Sequence, residues 1–475
     1  MTGIRKILAA LAVLLLTVSG VMHPHSTQAQ FYNGLQMSFG KNRVQYEGRF
    51  WSFYRFDRFD TYFYLNGQDL AAFTARYADK AIREMERKLD FPLDGKIQFV
   101  IFNKLSDLKQ SNIGSIQDAE YNVGGITHIV GSKVFIYFNG SHADLQRQIR
   151  AGIAHVILDQ MLFGGRITAM MKNSALLSLP DWYSKGLVSY MSQNWDTEME
   201  NHVKDGILRG DYRKFSGLEG MEAVYAGHSI WRFIADKYGP TTVSNIVYMT
   251  KVSKNVESGF LYVLGIAFKD LSKEWLQYYE AQYGITDAAR QEVSEPLLLA
   301  KQKKRLVYQQ LRVSPEGNQA AFVTNDNGRW KVHLYNMDTG KRKVLLRAGQ
   351  RLDEKTDYSN PLLAWHPSGR LLSMIFETKG KIMMYFYTLD DEKFEKQRLF
   401  NMEKVLDHSF AQNGKMIVMS AVVNGQSDIF VYNLASHTYE TITKDIWDDL
   451  YPRFIGNSDE IIFSSNRPDD TIRYD

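Results

Sequence analysis

A short turn recurs at regular intervals through the last third of this 475-residue chain. Its anchors are Gly317, Gly369, Gly414 and Ser458, at separations of 52, 45 and 44 residues. In the first three copies an apolar segment, a second polar turn and another apolar segment follow the anchor, and the fourth copy repeats the start of this pattern. Such repetition predicts an array of similar units, each of which buries its apolar face against its neighbours.

The length of the repeat favours one architecture. A period of about 40 to 50 residues with several strands per unit is typical of β-propeller blades. The alternative, a β-sandwich, does not need the same turn before every second pair of strands. Propellers close with roughly 4 to 8 blades, whereas only about 170 residues follow the start of the repeats. We therefore expect residues 306–475 to form an incomplete all-β propeller that continues in sequence beyond Asp475.

The first thirty residues have the pattern of a secretory signal peptide. Arg5 and Lys6 precede an apolar run from Ile7 to Leu16, and a segment of small and polar residues then leads to Ala29. This run is shorter than the roughly 20 residues that a membrane-spanning helix needs, and no later segment is long enough. The sequence thus predicts an exported protein without a transmembrane segment.

Composition excludes several classes of function. The chain contains no cysteine, so disulfide scaffolds, thiol catalysis and Cys-ligated zinc are excluded. The 57 basic and 53 acidic side chains give a formal net charge of +4, which is too small to indicate nucleic acid as a partner. We expect protein partners in the envelope instead, and the oligomeric state stays open.

Between the signal peptide and the repeats, the hydrophobic pattern changes from strands to helices. Residues 96–102 and 133–138 have the alternation and composition of strands. From Asp144 onward a helical period continues for about 140 residues. A strand-rich part followed by a helical part predicts an α+β domain over residues 31–285. Basic residues and a proline then predict a polar linker over residues 286–305.

Two segments resemble known families. The repeats resemble those of TolB-type propellers, whose units carry Ser-Pro-Asp-Gly, an apolar strand, an Asp-Gly turn and Ile-Tyr-x-x-Asp. The preceding domain resembles the gluzincin-type peptidase-MA-like domain of bacterial envelope proteins. The matching segments are residues 314–340 for the propeller and residues 59–64, 133–139, 149–162, 179–187 and 225–229 for the peptidase-like domain. The resemblance implies a multidomain protein: an α+β metallopeptidase-like domain followed by a partial TolB-like β-propeller.

The catalytic positions of the peptidase-like family are altered in this chain. Active members carry His-Glu-x-x-His on one helix and a zinc-ligating Glu on the next, so that two His and one Glu bind Zn²⁺ while the first Glu acts as general base. By this resemblance the four positions correspond to Ala151, Gly152, His155 and Lys185. Three of the four required side chains are absent. We therefore expect no metal, no cofactor and no enzymatic activity.

One other metal site stays open from the sequence. None of the eleven His residues is followed by Glu, and no two of them are four residues apart. His155 and Asp159 share a helix face at i and i+4, and a distant His128, His142 or His228 would have to join them. An isolated His in an apolar helical stripe is more often a hydrogen-bonded core residue.

The resemblance also implies a place for a bound peptide. In gluzincin-type folds the strand beside the zinc helix holds the substrate by strand addition. We expect the corresponding strand to be a free edge that binds an extended segment of a partner. Its residues are Lys133, Val134, Phe135, Ile136, Tyr137 and Phe138.

The leading functional hypothesis is therefore an exported, non-catalytic envelope protein that acts as a scaffold or as a peptide- or protein-binding module. The resemblance implies that it lies in the periplasm, associated with the outer membrane through a partner. One alternative is a hydrolase or peptidase that uses an unrecognised metal site or a catalytic domain beyond Asp475. Another alternative is a component of a Tol-like or secretion-linked envelope complex, with a fixed multiprotein partner. Fold resemblance supports all three only by analogy.

Overall fold

The computed structural model describes most of the chain after residue 44. The described residues are 45–46, 48–111, 128–130, 132–164, 177–287, 303, 306–351 and 356–468, with backbone only at 128–130 and 286–287. The predicted signal peptide and most of the predicted linker lie outside them. Among the described helices, none has the length and apolar character needed to cross a membrane.

A five-stranded mixed sheet organises the first part of the molecule. Its strands are β1 (Ser52–Arg55), β2 (Phe59–Phe63), β3 (Ile97–Phe102), β4 (His128–Val130) and β5 (Lys133–Tyr137), in the order β1-β2-β3-β5-β4. The three inner strands are parallel, whereas β1 and β4 are antiparallel to their neighbours. Helix α1 (Gln68–Leu89) connects β2 to β3, and the short α2 (Leu105–Lys109) follows β3.

A helical part follows the sheet, as the sequence predicted. Its helices are α3 (His142–Phe163), α4 (Asp181–Ser192), α5 (Thr197–Arg209), α6 (Gly220–Tyr238), α7 (Thr241–Ser253), α8 (Val256–Leu264) and α9 (Phe268–Asp287), with a 3₁₀ segment at Asp211–Gly217. Side-chain caps fix where three of them begin. Ser141, Asp196 and Asn255 accept hydrogen bonds from backbone N–H groups in the first turns of α3, α5 and α8.

Large aromatic side chains and two glycines pack the helical part. The rings of Trp182 and Phe268 stack at 4.3 Å between centroids, and both are buried. Helices α4 and α6 touch backbone to backbone, since a Cβ on Gly186 would lie 2.4 Å from Cα of Gly227. A side chain at either glycine would force the two helices apart, so the close packing of α4 and α6 requires glycine at both positions.

The repeats fold into separate antiparallel sheets. The first comprises β6 (Val307–Val313), β7 (Gln319–Asp326), β8 (Arg329–Asn336) and β9 (Arg342–Ala348); the second β10 (Leu362–Trp365), β11 (Leu371–Thr378), β12 (Lys381–Thr388) and β13 (Lys393–Leu399). The third comprises β14 (Lys404–Phe410), β15 (Met416–Val423), β16 (Gln426–Asn433) and β17 (Thr438–Thr441); β18 (Asp449–Phe454) pairs with β19 (Ile461–Ser465). Each full sheet is a four-stranded meander, which is the structure of a propeller blade.

The predicted repeat is confirmed at its anchors. Gly317, Gly369 and Gly414 all lie between the first and second strand of a sheet, at positive φ. Each donates its N–H to the carbonyl three residues before it, at 2.9 Å. The positive φ explains why glycine recurs here, because other residues adopt this conformation at a cost.

Neighbouring sheets meet along their first strands. β6 contacts β10, β10 contacts β14, and β14 contacts β18. Arg312 on β6 donates to the carbonyl of Leu363 at 3.1 Å, and Trp365 on β10 donates back to the carbonyl of Arg312 at 2.9 Å. This is how blades succeed one another around a propeller axis, but the described strands do not close a ring.

Candidate functional site

The first two positions that the sequence resemblance assigns to a zinc motif, residues 151 and 152, lie in a packed part of α3. Ala151 is fully buried. A Cβ on Gly152 would lie 2.4 Å from Cγ1 of Val134, so the glycine allows α3 to approach β5 closely. A longer side chain at residue 152 has no room, and this part of the helix serves packing.

The two remaining motif positions form ion pairs within their own helices. The His155 ring lies 3.6 Å from the Asp159 carboxylate, and Lys185 donates to Asp181 at 2.9 Å. Both are i to i+4 contacts on partly exposed helix faces. Lys185 is therefore a helix-surface cation paired with Asp181.

Two of the His residues considered as further ligands beside His155, namely His142 and His228, have other partners. The His142 ring contacts Asp448 at 2.6 Å, and the His228 ring bonds to the Ser189 hydroxyl at 2.9 Å. Burial, aided by Arg232, lowers the pKa of His228 to about 3, so it is neutral. Within the described side chains, neither completes a ligand set with His155 and Asp159. The side chain of His128 lies outside the described residues.

The prediction of a free edge at Lys133–Phe138 is wrong for its first half. β3 pairs with one side of β5, and β4 pairs with the other side at Lys133, Val134 and Phe135. β4 is only three residues long, but Ile129 and Val130 are β-branched, which favours strand structure. The outer strand here is β4, and the side chains from Val134 to Phe138 are buried in the core.

A cleft instead opens where the C-terminal end of β5 and the start of α3 meet the blades. Its volume is about 530 Å³. Charged side chains line it from both parts of the molecule: Asp144, Arg147, Asp196, Glu198, Asp357 and Lys404. Apolar and aromatic side chains complete the wall: Tyr137, Met199, Met221, Tyr225, Leu406, Leu450 and Tyr451. This mixed lining and this size are typical of binding sites.

Both cations of the cleft are already paired. Arg147 donates to Asp144 three residues before it on α3. Lys404 on β14 donates to Asp357 at 3.1 Å. Asp357 is desolvated, but Lys404 and the Ser359 hydroxyl and N–H outweigh this burial and hold its pKa at about 2. The two pairs leave the carboxylates of Asp196 and Glu198 as the remaining charges of the lining.

Two tyrosines of the lining have raised pKa values, mainly because they are buried. Burial raises the pKa of Tyr137 strongly, and the carboxylates of Asp144 and Asp357 add to the effect. Burial also raises the pKa of Tyr225, with further contributions from Glu198 and Glu222. Both hydroxyls therefore stay protonated at neutral pH.

Buried contacts fix the two walls of the cleft to each other. Asp448, beside β18, accepts from the backbone N–H of His142 at 2.7 Å and contacts its ring, which places a carboxylate at the N-terminus of α3. Ser427 on β16 donates to the carbonyl of Gly140 at 2.8 Å. On the α2 side, Lys104 and Ser106 both donate to Glu377 on β11. The cleft is therefore a preformed feature of the fold.

One group of carboxylates elsewhere has the spacing of a metal site. Oxygens of Asp428, Asp445 and Asp449 lie within 4.8 Å of one another. Burial and the neighbouring carboxylates raise the pKa of Asp428 to about 6. Arg467 donates to both Asp445 and Asp449, so a guanidinium supplies the positive charge that a cation would bring. This group is an ion-pair network between the third and fourth sheets.

Of the cleft residues, Tyr137 belongs to the strand that the sequence analysis proposed as a binding site, and sequence reasoning missed the others. They come from separate stretches, around residues 137–147, 189–199, 221–225, 356–359, 404–406 and 450–451, and no motif links them. Two of them carry a recognisable sequence signal, because Ser141 and Asp196 are N-caps that precede an acidic first turn, in α3 and α5. Such a signal predicts the start of a helix and not a ligand.

No protein-family model and no curated protein matches the chain. Among solved structures, TolB from Acinetobacter baumannii is similar at 16% identity and a TM-score of 0.29, over 35% of this chain and 39% of that one. Putative TolB from Agrobacterium tumefaciens is similar at 16% identity and a TM-score of 0.28, over 34% of this chain and 55% of that one. The β-propeller domain of the Trilobed protease from Pyrococcus furiosus is similar at 12% identity and a TM-score of 0.27, over 36% of this chain and 52% of that one. These similarities span about two fifths to one half of each matched chain and carry no argument about function.

Proposed function

We propose that this is an exported, non-catalytic envelope protein, whose α+β domain and blades form a scaffold and whose cleft binds a segment of a partner protein. The observation that carries the proposal is the cleft itself, with about 530 Å³ of volume and walls from both parts of the chain. A site of this size with mixed polar and apolar lining suits a few side chains and their backbone.

The residues at the zinc-motif positions support a non-catalytic role. Ala151 is buried, Gly152 packs on Val134, and Lys185 pairs with Asp181. In this proposal the α+β domain is a peptidase-like framework without its metal site. The sequence likeness of the repeats to TolB-type units supports a role in the envelope.

Site-specific photo-crosslinking in cells tests the proposal. Tyr451 lies at the cleft and is 63% exposed, so a benzophenone amino acid at residue 451 of the full-length protein would contact a bound segment. Tyr262 on α8 is 66% exposed and is not part of the cleft, which makes residue 262 the matched control.

We expect residue 451 to crosslink to one or two envelope proteins that residue 262 does not capture. Equal capture at both positions, or none at residue 451, would contradict a binding role for the cleft. Zinc at near one atom per purified chain, together with hydrolysis of a peptide substrate, would favour the alternative of a working peptidase.

A further inference from the structure

The charges of the cleft do not balance. Its lining holds four carboxylates and two cations, and the pairs Arg147–Asp144 and Lys404–Asp357 use both cations. Asp196 and Glu198 are left, both exposed, and neither forms an ion pair with another described side chain. The lining of the cleft therefore carries about two net negative charges at neutral pH.

The position of the two carboxylates matters as much as their number. Asp196 uses Oδ1 to cap the N–H of Met199 at 2.8 Å, and the positive end of the α5 dipole offsets part of its charge. Glu198, two residues later, makes no such cap. The low-dielectric walls of the cleft concentrate the electrostatic field of these two carboxylates within its opening.

An aromatic ring lies beside these carboxylates. Tyr225 on α6 stacks on His202 of α5 at 4.2 Å between centroids, with an interplanar angle of 5°. Glu198 contributes to the raised pKa of Tyr225, so the carboxylate and the phenol interact. Met199 and Met221 also line the cleft. A carboxylate next to an aromatic ring and thioether side chains suits an ammonium or guanidinium group, which gains both ionic and cation–π attraction.

We propose, resting on the proposed binding role of the cleft, that its ligand is a cationic group supplied by a Lys or Arg side chain of an extended protein segment. The aliphatic stem of such a side chain packs on Met199 and Met221, and its charged end reaches Glu198 and Asp196. A free polyamine has the same chemistry and is the competing source.

Binding of synthetic peptides to the full-length mature protein tests this inference. The probe is a fluorescein-labelled decapeptide of alternating Lys and Ser, and its partner replaces each Lys with norleucine. Fluorescence anisotropy measures both at low and at physiological salt, because an ionic contact weakens as salt rises. Spermidine serves as a competitor to detect the polyamine source.

The test variant carries Asp196→Asn and Glu198→Gln. Asn keeps an oxygen for the α5 cap, so the helix start is retained. The matched control is Glu257→Gln, which removes an exposed carboxylate from the first turn of α8, outside the cleft. Thermal unfolding of all three proteins verifies that the fold is unchanged.

We expect the Lys peptide to bind at least tenfold more tightly than the norleucine peptide, and the double variant to lose at least tenfold in affinity while Glu257→Gln does not. Equal affinity for both peptides, or undiminished affinity in the double variant, overturns the inference. Binding of spermidine without the Lys peptide overturns the peptide source. If residue 451 still crosslinks to a partner after such a failure, the proposed function stands and only the ligand class is wrong.

Discussion

Two neighbouring stretches of α3 have opposite roles. Asp144 and Arg147, in its first turns, are polar and line the cleft beside the blades. Ala151 and Gly152, one turn further, are buried, and Gly152 packs on Val134 of β5. The sequence resemblance directs attention to the second stretch, yet the accessible charges are on the first. What a helix can bind is decided by which of its side chains the neighbouring elements leave exposed.

The largest effect is expected from restoring a carboxylate in the packed stretch. Gly152→Glu places a Cβ 2.4 Å from Cγ1 of Val134 and buries a charge, so we expect a loss of more than about 4 kcal/mol in the free energy of unfolding, or no soluble protein. Denaturant unfolding measures the change. Gly284→Ala is the control, because its Cβ meets nothing within 4 Å, and we expect it to stabilise α9 by up to about 1 kcal/mol.

The opposite result is equally informative. If Gly152→Glu folds normally, and if it binds zinc when combined with Ala151→His and Lys185→Glu, then the helix is loosely packed and the peptidase-like framework is functional. That outcome would contradict the contrast between the two stretches of α3.

A second prediction concerns the contact that joins α3 to the blades. Asp448→Asn removes the charge that caps the N-terminus of α3 and pairs with the buried His142 ring, so we expect a loss of about 2 to 3 kcal/mol in unfolding free energy. Asp459→Asn, an exposed change in the same sheet, should alter it by less than about 0.5 kcal/mol. Equal stabilities of the two variants would mean that the cleft walls do not depend on this contact.

A third prediction uses a carboxyl buried between the two parts of the molecule. Burial raises the pKa of Glu403 from 4.5 to about 7, with Asp107 adding to the shift and Lys104 opposing it. The folded state therefore loses stability as pH rises from about 4.5 to 7, and the penalty is complete above pH 7.

Glu403→Gln should remove this penalty. We expect the variant to be more stable than the wild type by about 2 to 3 kcal/mol at pH 8 and equal to it near pH 4.5, in unfolding curves measured across this range. Glu395→Gln on β13, where the side chain is exposed, should leave the pH profile unchanged. A wild-type profile that is flat between pH 4.5 and 8 would contradict the buried position of Glu403.

The sequence predicted the features that depend on local pattern. The anchors Gly317, Gly369 and Gly414 mark turns that need positive φ, and the period of the apolar residues separates the strands from the helices. The covering of β5 was missed because β4 has only three residues. The cleft was missed because contacts such as His142 with Asp448 join residues more than 300 positions apart, which no local pattern records.

The smallest expected effect on stability comes from breaking the Lys404–Asp357 ion pair in the cleft. Lys404 holds the pKa of Asp357 at about 2, below the ordinary 3.8, so the pair stabilises the fold above about pH 3.8 and this contribution is lost as pH falls through 2. Lys404→Met should reduce unfolding free energy by about 1 to 2 kcal/mol at pH 7 and by much less near pH 2. Lys415→Met, in an exposed turn, is the control.

The same variant should act in the opposite direction on binding. Lys404→Met leaves one more unpaired carboxylate in the lining, so the Lys peptide should bind several-fold more tightly although the protein is less stable. Anisotropy and unfolding measured on one preparation test both effects. A parallel loss of stability and of affinity would show that Lys404 supports the shape of the cleft, and that its charge does not oppose a cationic ligand.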